Sequence, residues 1–257
     1  MTDADSIWLG RAGGGVEPGA GAKFKSPNRV QANILARRER ALLDRLCRLM
    51  PSWVTPDHLT AVGVLGAVIA GAGYFASNWR PAFLFLASLG VLVNWFGDSL
   101  DGSLARHRKA ERPGYGYFLD HSTDAISSLI FAAGLGLSPY VSMDAALFLL
   151  VSYYLLSMYV FLSNQVSGEF QLSFLYGGPT ELRLLAIGFN LFIFVEGPLK
   201  LSFIGATVSL YTILVGLEGT IFIAIFIYTV LRTAKKLRRQ DESTANYGRD
   251  RGVSNRG

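Results

Sequence analysis

Gly97-Asp98-Ser99-Leu100-Asp101-Gly102-Ser103-Leu104-Ala105-Arg106 is followed, nine residues later, by Gly116-Tyr117-Phe118-Leu119-Asp120-His121-Ser122-Thr123-Asp124. Asp98 and Asp101 are spaced i, i+3 and Asp120 and Asp124 i, i+4, so on helices each pair shares one face with Cβ atoms about 5–6 Å apart. The segment between them holds Arg106, Arg108, Lys109 and Arg112, and such a basic loop reverses the chain at a membrane surface. Two antiparallel helices joined by that turn bring all four carboxylates to one site. Ionisable residues within apolar helices cost a few kcal/mol each on insertion scales, so four of them together mark function.

The surrounding sequence supplies the membrane. Uncharged apolar blocks such as Leu59–Ser77, Ala145–Leu162 and Leu201–Leu217 approach the roughly 20 residues that cross a hydrocarbon core. Hydrophobic residues make up 51% of the 257-residue chain and charged ones 17%, with mean hydropathy +0.33. That excludes a disordered or fibrous protein and argues against a soluble globule. The single cysteine, Cys47, excludes an internal disulfide and a thiolate zinc cluster.

The predicted fold is therefore all-α and polytopic, with six transmembrane helices at about 59–77, 81–105, 115–138, 144–164, 180–196 and 201–231. With these spans, 22 of the 24 Lys and Arg residues fall on one side, all but Arg80 and Lys200. The positive-inside rule makes that side cytoplasmic, with both termini and the acidic site facing it, in the plasma or inner membrane if the source is prokaryotic. The basic charge serves topology and anionic lipid, not nucleic acid. Residues 1–27 read as a flexible tail, and 28–50 as an amphipathic interfacial helix whose Ile34, Leu35, Leu42, Leu46 and Leu49 oppose Arg37, Arg38, Arg40, Arg45 and Arg48. Residues 51–232 form the catalytic domain and 233–257 a second flexible, basic tail.

Four carboxylates in a partly desolvated site need cations to remain ionised together. All-oxygen ligands suit Mg²⁺ or Mn²⁺, and a pair of such ions stabilises attacking and leaving oxygens in phosphoryl displacement. Phosphoryl transfer is the reaction class this predicts. Gly102, Ala105 and Gly116 would let a nucleotide or a neighbouring backbone come close, and Arg106 is available for a phosphate.

The pattern Asp98-x2-Asp101-Gly102-x2-Ala105-Arg106-x9-Gly116-x3-Asp120-x3-Asp124 resembles the signature of the CDP-alcohol phosphotransferases, membrane enzymes of phospholipid head-group synthesis. Thr55-Pro56-Asp57-x-Leu59-Thr60 is similar to the family's opening of its first span, with Asp57 where asparagine is usual. The resemblance implies that Asp98, Asp101 and Asp120 bind the metals, that Asp124 is a further ligand and the general base, and that Gly102, Ala105, Arg106 and Gly116 line the CDP site. It implies transfer of a phospho-alcohol or phosphatidyl group from a CDP-alcohol to an acceptor hydroxyl, with release of CMP, at least one of the two substrates being a lipid, and often a homodimer. Asp120-His121 and Gly178-Pro179-Thr180-Glu181 are similar to elements of members that use CDP-aminoalcohols, which makes His121 a second base candidate.

The rival reading is a cation- or proton-coupled transporter using the same intramembrane aspartates. A relay would need neither Ala105-Arg106 nor the small residues, and would spread its acids over more helices. Glu218, beside Gly216 and Gly219, is either a structural partner or a cavity-lining acid. Tyr153, Tyr154 and Tyr159 read as packing aromatics, and His58 and His107 as interfacial residues.

Overall fold

A computed structural model describes residues 36–167, 179–203 and 206–254. Helices α1 (Ala36–Leu49), α2 (Pro56–Ala76), α3 (Phe83–His107), α4 (Pro113–Gly136), α5 (Met143–Ser167) and α6 (Pro179–Glu196) are followed by strands β1 (Lys200–Phe203) and β2 (Ala206–Ser209), then α7 (Leu210–Ser254). Four of these helices, α2, α3, α5 and α7, are long and apolar enough to cross a membrane. Acids and bases interrupt the other two candidates: α4 carries Asp120, His121 and Asp124, and α6 opens with Glu181 and Arg183.

Thr55 starts α2 with a reciprocal cap, its hydroxyl accepting from the His58 N–H while the His58 ring accepts from the Thr55 N–H, and Pro56 has the φ a first turn requires. From there α2 and α3 run antiparallel with backbones in contact. A Cβ on Gly66 would lie 2.2 Å from the Asn94 nitrogen, one on Gly90 2.2 Å from the Ala70 nitrogen, and one on Gly97 2.3 Å from the Gly63 nitrogen. Small residues at three- and four-residue intervals allow this approach, the means by which helices associate where the surroundings are apolar. Buried Asn94 closes the seam by donating to the Gly63 carbonyl at 3.0 Å. Gly134 of α4 packs on Gly71 in the same way, so α2 is gripped from two sides.

Helix α1 packs on the basic end of this unit. Leu43 and Cys47 are buried with Val54, Leu59, Leu100 and Leu104, whereas Leu42 and Leu49, expected on one apolar face with Leu46, are exposed. The face that docks is thus rotated from the expected one, because the bundle offers a protein partner for Leu43 and Cys47. Arg108 fixes this junction, donating to the carbonyls of Met50, Pro51 and Val54 where α1 has run out of its own donors. Ile34, Leu35 and the 1–27 tail lie outside the described residues.

Two elements differ from expectation. Residues 201–203 and 206–209 do not begin the last helix. They pair as antiparallel strands, Lys200 opposite Ser209 and Leu201 opposite Val208, with apolar and hydroxyl residues alternating as a strand requires. The last helix starts at Leu210 and does not end near residue 231. It runs on to Ser254 through the stretch expected to be a flexible tail, because Lys, Leu, Arg and Gln are good helix formers and Arg238 pairs with Glu242 one turn on. Tyr211, fully buried, packs beside Tyr140 and Phe189 and donates to the Gly197 carbonyl at 2.5 Å, joining the end of the strand pair to α6. Half-buried Glu218 sits on the α7 face beside Gly219, where a Cβ would lie 2.8 Å from the Phe148 ring of α5.

Candidate active site

The α2–α3 seam places Asp98 one turn and Asp101 two turns beyond Asn94 on α3, and α4 brings Asp120 and Asp124 against this stretch. One carboxylate oxygen each from Asp98, Asp120 and Asp124 lies within 4.8 Å of the other two. Three hard oxygen donors at that separation suit a divalent cation of the Mg²⁺ or Mn²⁺ type. A narrow cleft beside them is lined by Asp98, Asp101, Asp124, Thr60, Asn94 and Ser127.

Asp101 borders the cleft but stands apart from the other three. It is 9% exposed, and its carboxylate accepts from the Thr60 hydroxyl at 2.6 Å and from the Gly102 N–H at 2.5 Å. The Thr60 donor ties it to α2 and the Gly102 donor is its own neighbour on α3, so three acids meet and the fourth is held alongside.

The sequence reading missed Arg183. Its Nη2 donates to Asp98 Oδ2 at 2.7 Å, with both side chains largely buried. Counted in sequence only as one more cytoplasmic charge, it is a cation delivered to the cluster by α6. Thr60, Asn94 and Ser127 were likewise missed, since single polar residues in apolar helices carry no spacing signal.

The small residues sort into two kinds. A Cβ on Gly116 would meet nothing within 4 Å, and one on Gly102 only the Arg106 guanidinium at 3.4 Å. Neither glycine therefore admits a neighbouring backbone, and the space beside them is open to a ligand. Close backbone approach occurs instead at Gly63, Gly66, Gly90 and Gly97. Exposed Arg106 lies over Gly102 and donates to the Ser103 hydroxyl at 3.2 Å, and Ala105 is half-buried next to it.

His121 faces elsewhere, as the 100° step from Asp120 predicts. Its ring packs between Tyr117 and Phe161, centroids 4.3 and 4.9 Å away, with Nδ1 3.9 Å from Asp120 Oδ2. Of the basic loop, Arg108 caps α1, and Arg112 pairs with Asp57 while lying 4.3 Å above the Tyr115 ring. Both arginines thus have partners within the protein. Tyr154 donates to the Ala125 carbonyl and Tyr159 bonds Thr233. Gly178 lies outside the described residues.

The sequence pattern of the CDP-alcohol phosphatidyltransferase family matches residues 53–231, from the end of the α1 junction to the middle of α7. The chain belongs to this family. Three curated relatives match part of the chain. Archaetidylinositol phosphate synthase of Pyrococcus horikoshii is 31% identical over 116 residues, 45% of this chain and 58% of that protein. Cholinephosphotransferase 1 of Danio rerio is 33% identical over 95 residues, 35% of this chain and 25% of the relative. Phosphatidylinositol phosphate synthase of Cutibacterium acnes is 33% identical over 89 residues, 35% of this chain and 41% of its own length. The matched stretches thus span less than two thirds of each relative.

Proposed function

We propose that this protein transfers a phospho-alcohol or phosphatidyl group from a CDP-alcohol to an acceptor hydroxyl in phospholipid synthesis, releasing CMP. The observation that carries the reading is the meeting of Asp98, Asp120 and Asp124 oxygens within 4.8 Å, drawn from two helices, in a chain of this family.

Asp98, Asp120 and Asp124 would hold the divalent cations, with Asp101 beside them as a further ligand. When bound, two such ions supply positive charge to the diphosphate and to the attacking and leaving oxygens. Gly102, Ala105, Arg106 and Gly116 would receive the CDP moiety, the two glycines leaving room and Arg106 pairing with phosphate. Asp124 would take the proton of the acceptor hydroxyl as that oxygen forms its bond to the phosphorus bearing the alcohol. The bond from that phosphorus to the bridging oxygen breaks, and CMP leaves with the electron pair. Arg183 would fix the orientation of Asp98. The transporter reading has less support, since the acids gather at one site beside two open glycines.

In the proposed topology, α2 to α7 are six spans, with both termini, the α3–α4 loop and the cluster cytoplasmic. Residues 51–232 are the catalytic domain and α1 lies along the inner surface. The names of the relatives divide between inositol-phosphate and choline acceptors or donors, so the substrate pair is to be found by experiment. Purified protein in detergent with Mg²⁺ or Mn²⁺, offered a panel of CDP-alcohols and acceptors, should release CMP with one pair, and chelation should abolish the release. No release across the panel with either ion would overturn the proposal.

A further inference from the structure

Glu39 lies on α1, before the family's matched segment begins at residue 53, yet it reaches α3 and α6, the two helices that the Arg183–Asp98 ion pair joins at the edge of the acidic cluster. Its Oε1 accepts the Trp95 indole N–H at 3.0 Å and the Thr180 hydroxyl at 2.7 Å. Trp95 is three residues from Asp98 on α3, and Thr180 three residues from Arg183 on α6. Residues three apart are neighbours on a helix surface, so Glu39 bridges the same pair of helix faces that the Arg183–Asp98 ion pair bridges. Thr180 is in the first turn of α6, where a carboxylate is also favoured by the unpaired N–H groups and the helix dipole. Among the described residues, the Glu39 contact ties this helix start to α1.

We propose that Glu39 is a positioning residue, which sets the first turn of α6 from the surface helix and thereby holds Arg183 on Asp98. The inference rests on the reading of Asp98, Asp120 and Asp124 as metal ligands. It makes α1 part of the working unit although α1 contributes nothing to the cleft. Both donors to Glu39 are neutral and converge on one oxygen, so a glutamine carbonyl can replace the carboxylate, whereas alanine cannot.

The test uses the full chain in lipid nanodiscs with Mn²⁺ alone, bound ion being counted by electron paramagnetic resonance without substrate. Partners of ligating groups are worth about 10- to 100-fold in metal affinity. Arg183→Gln should sit near the low end, about tenfold weaker, because losing the guanidinium also removes its repulsion of the cation. Glu39→Ala should weaken Mn²⁺ about threefold or more, and Glu39→Gln should recover most of that loss. In the Arg183→Gln background Glu39→Ala should add nothing, the non-additivity expected of residues acting through one another. Hydrogen exchange in the first turns of α6 should quicken in Glu39→Ala and not in Glu39→Gln. If wild type binds Mn²⁺ and Glu39→Ala binds it equally well, this inference falls while the metal reading stands. Additive losses in the double variant would also overturn it. If wild type binds no Mn²⁺, the metal reading falls and takes this inference with it.

Discussion

The α2–α3 pair and the membrane portion of α7 are both long apolar helices, yet they solve opposite problems. Within the protein, 44% of the apolar stretch of α2 is buried against 11% for α7. Where α2 meets α3 the residues are Gly63, Gly66, Ala70 and Gly73 against Ala87, Gly90, Asn94 and Gly97, while α7 turns Leu217, Ile221, Ile227 and Leu231 outward. Large apolar side chains gain nothing by leaving lipid for protein, since both are equally dry, and backbone contact between small residues is what joins helices there. The difference teaches that apolarity alone does not locate the functional half of a membrane protein. The pair with the smallest side chains is the closely packed one, and it carries Asp98 and Asp101, two of the four acids.

The largest expected effect tests that contrast directly. Gly90→Val places a Cβ 2.2 Å from backbone atoms of Ala70, where no side chain can yield, at or beyond the about 1–3 kcal/mol typical of overpacking. Size-exclusion chromatography in detergent should show little folded protein. Gly216→Val on α7, where a Cβ meets nothing within 4 Å, should be recovered at wild-type yield. Equal yields would break the comparison.

On α4, which packs against that pair, chemistry should exceed packing in specificity. Asp124→Asn should lower kcat by about 10²- to 10⁴-fold at saturating Mg²⁺, the usual worth of positioned proton transfer, with substrate affinity changed much less. His121→Ala, measured beside it, should cost far less, since the ring contacts Tyr117 and Phe161 and not the cleft. A greater loss from His121→Ala would move the base to that residue.

A smaller effect concerns the support of Asp101. Thr60→Val removes the hydroxyl that donates at 2.6 Å, and a buried carboxylate left short of one donor costs about 1–3 kcal/mol. We expect kcat/KM to fall about tenfold, with Thr60→Ser restoring it. No change would mean that the Gly102 N–H suffices to hold Asp101.

The smallest effect lies at the exposed rim. Asp57→Asn deletes the ion pair with Arg112, whose partners are about half exposed, and such pairs are worth about 0.2–1 kcal/mol. Thermal unfolding in detergent should shift little, and a large shift would show that the α3–α4 loop is more than a solvated turn.

The acids were legible in sequence because helical spacing is local: i, i+3 and i, i+4 put Asp98 with Asp101 and Asp120 with Asp124 whatever the tertiary fold. Their meeting followed from one reversal of the chain. Arg183 and Glu39 were not legible, because each reaches its partner across 56 or more residues with no periodicity to announce it. Asp101 shares a helix face with Asp98, yet the Thr60 hydroxyl of α2 draws it aside, a choice invisible in the spacing of the aspartates. The apolar stripe of α1 was displaced because its hydrophobic residues could serve lipid or protein alike. The strands Lys200–Phe203 and Ala206–Ser209 were obscured by overall hydrophobicity, although their alternation of Leu201, Ser202 and Phe203, then Thr207, Val208 and Ser209, has a strand's period.

Helix α7 is 45 residues long, which at 1.5 Å per residue is about 67 Å. A hydrocarbon core takes up about 30 Å of such a rod. In a bilayer crossed by α7, the remainder is unbroken helix that reaches tens of ångströms past the hydrocarbon core, about the width of a small domain. Energy transfer between a dye at residue 254 and dyed lipid would report that reach.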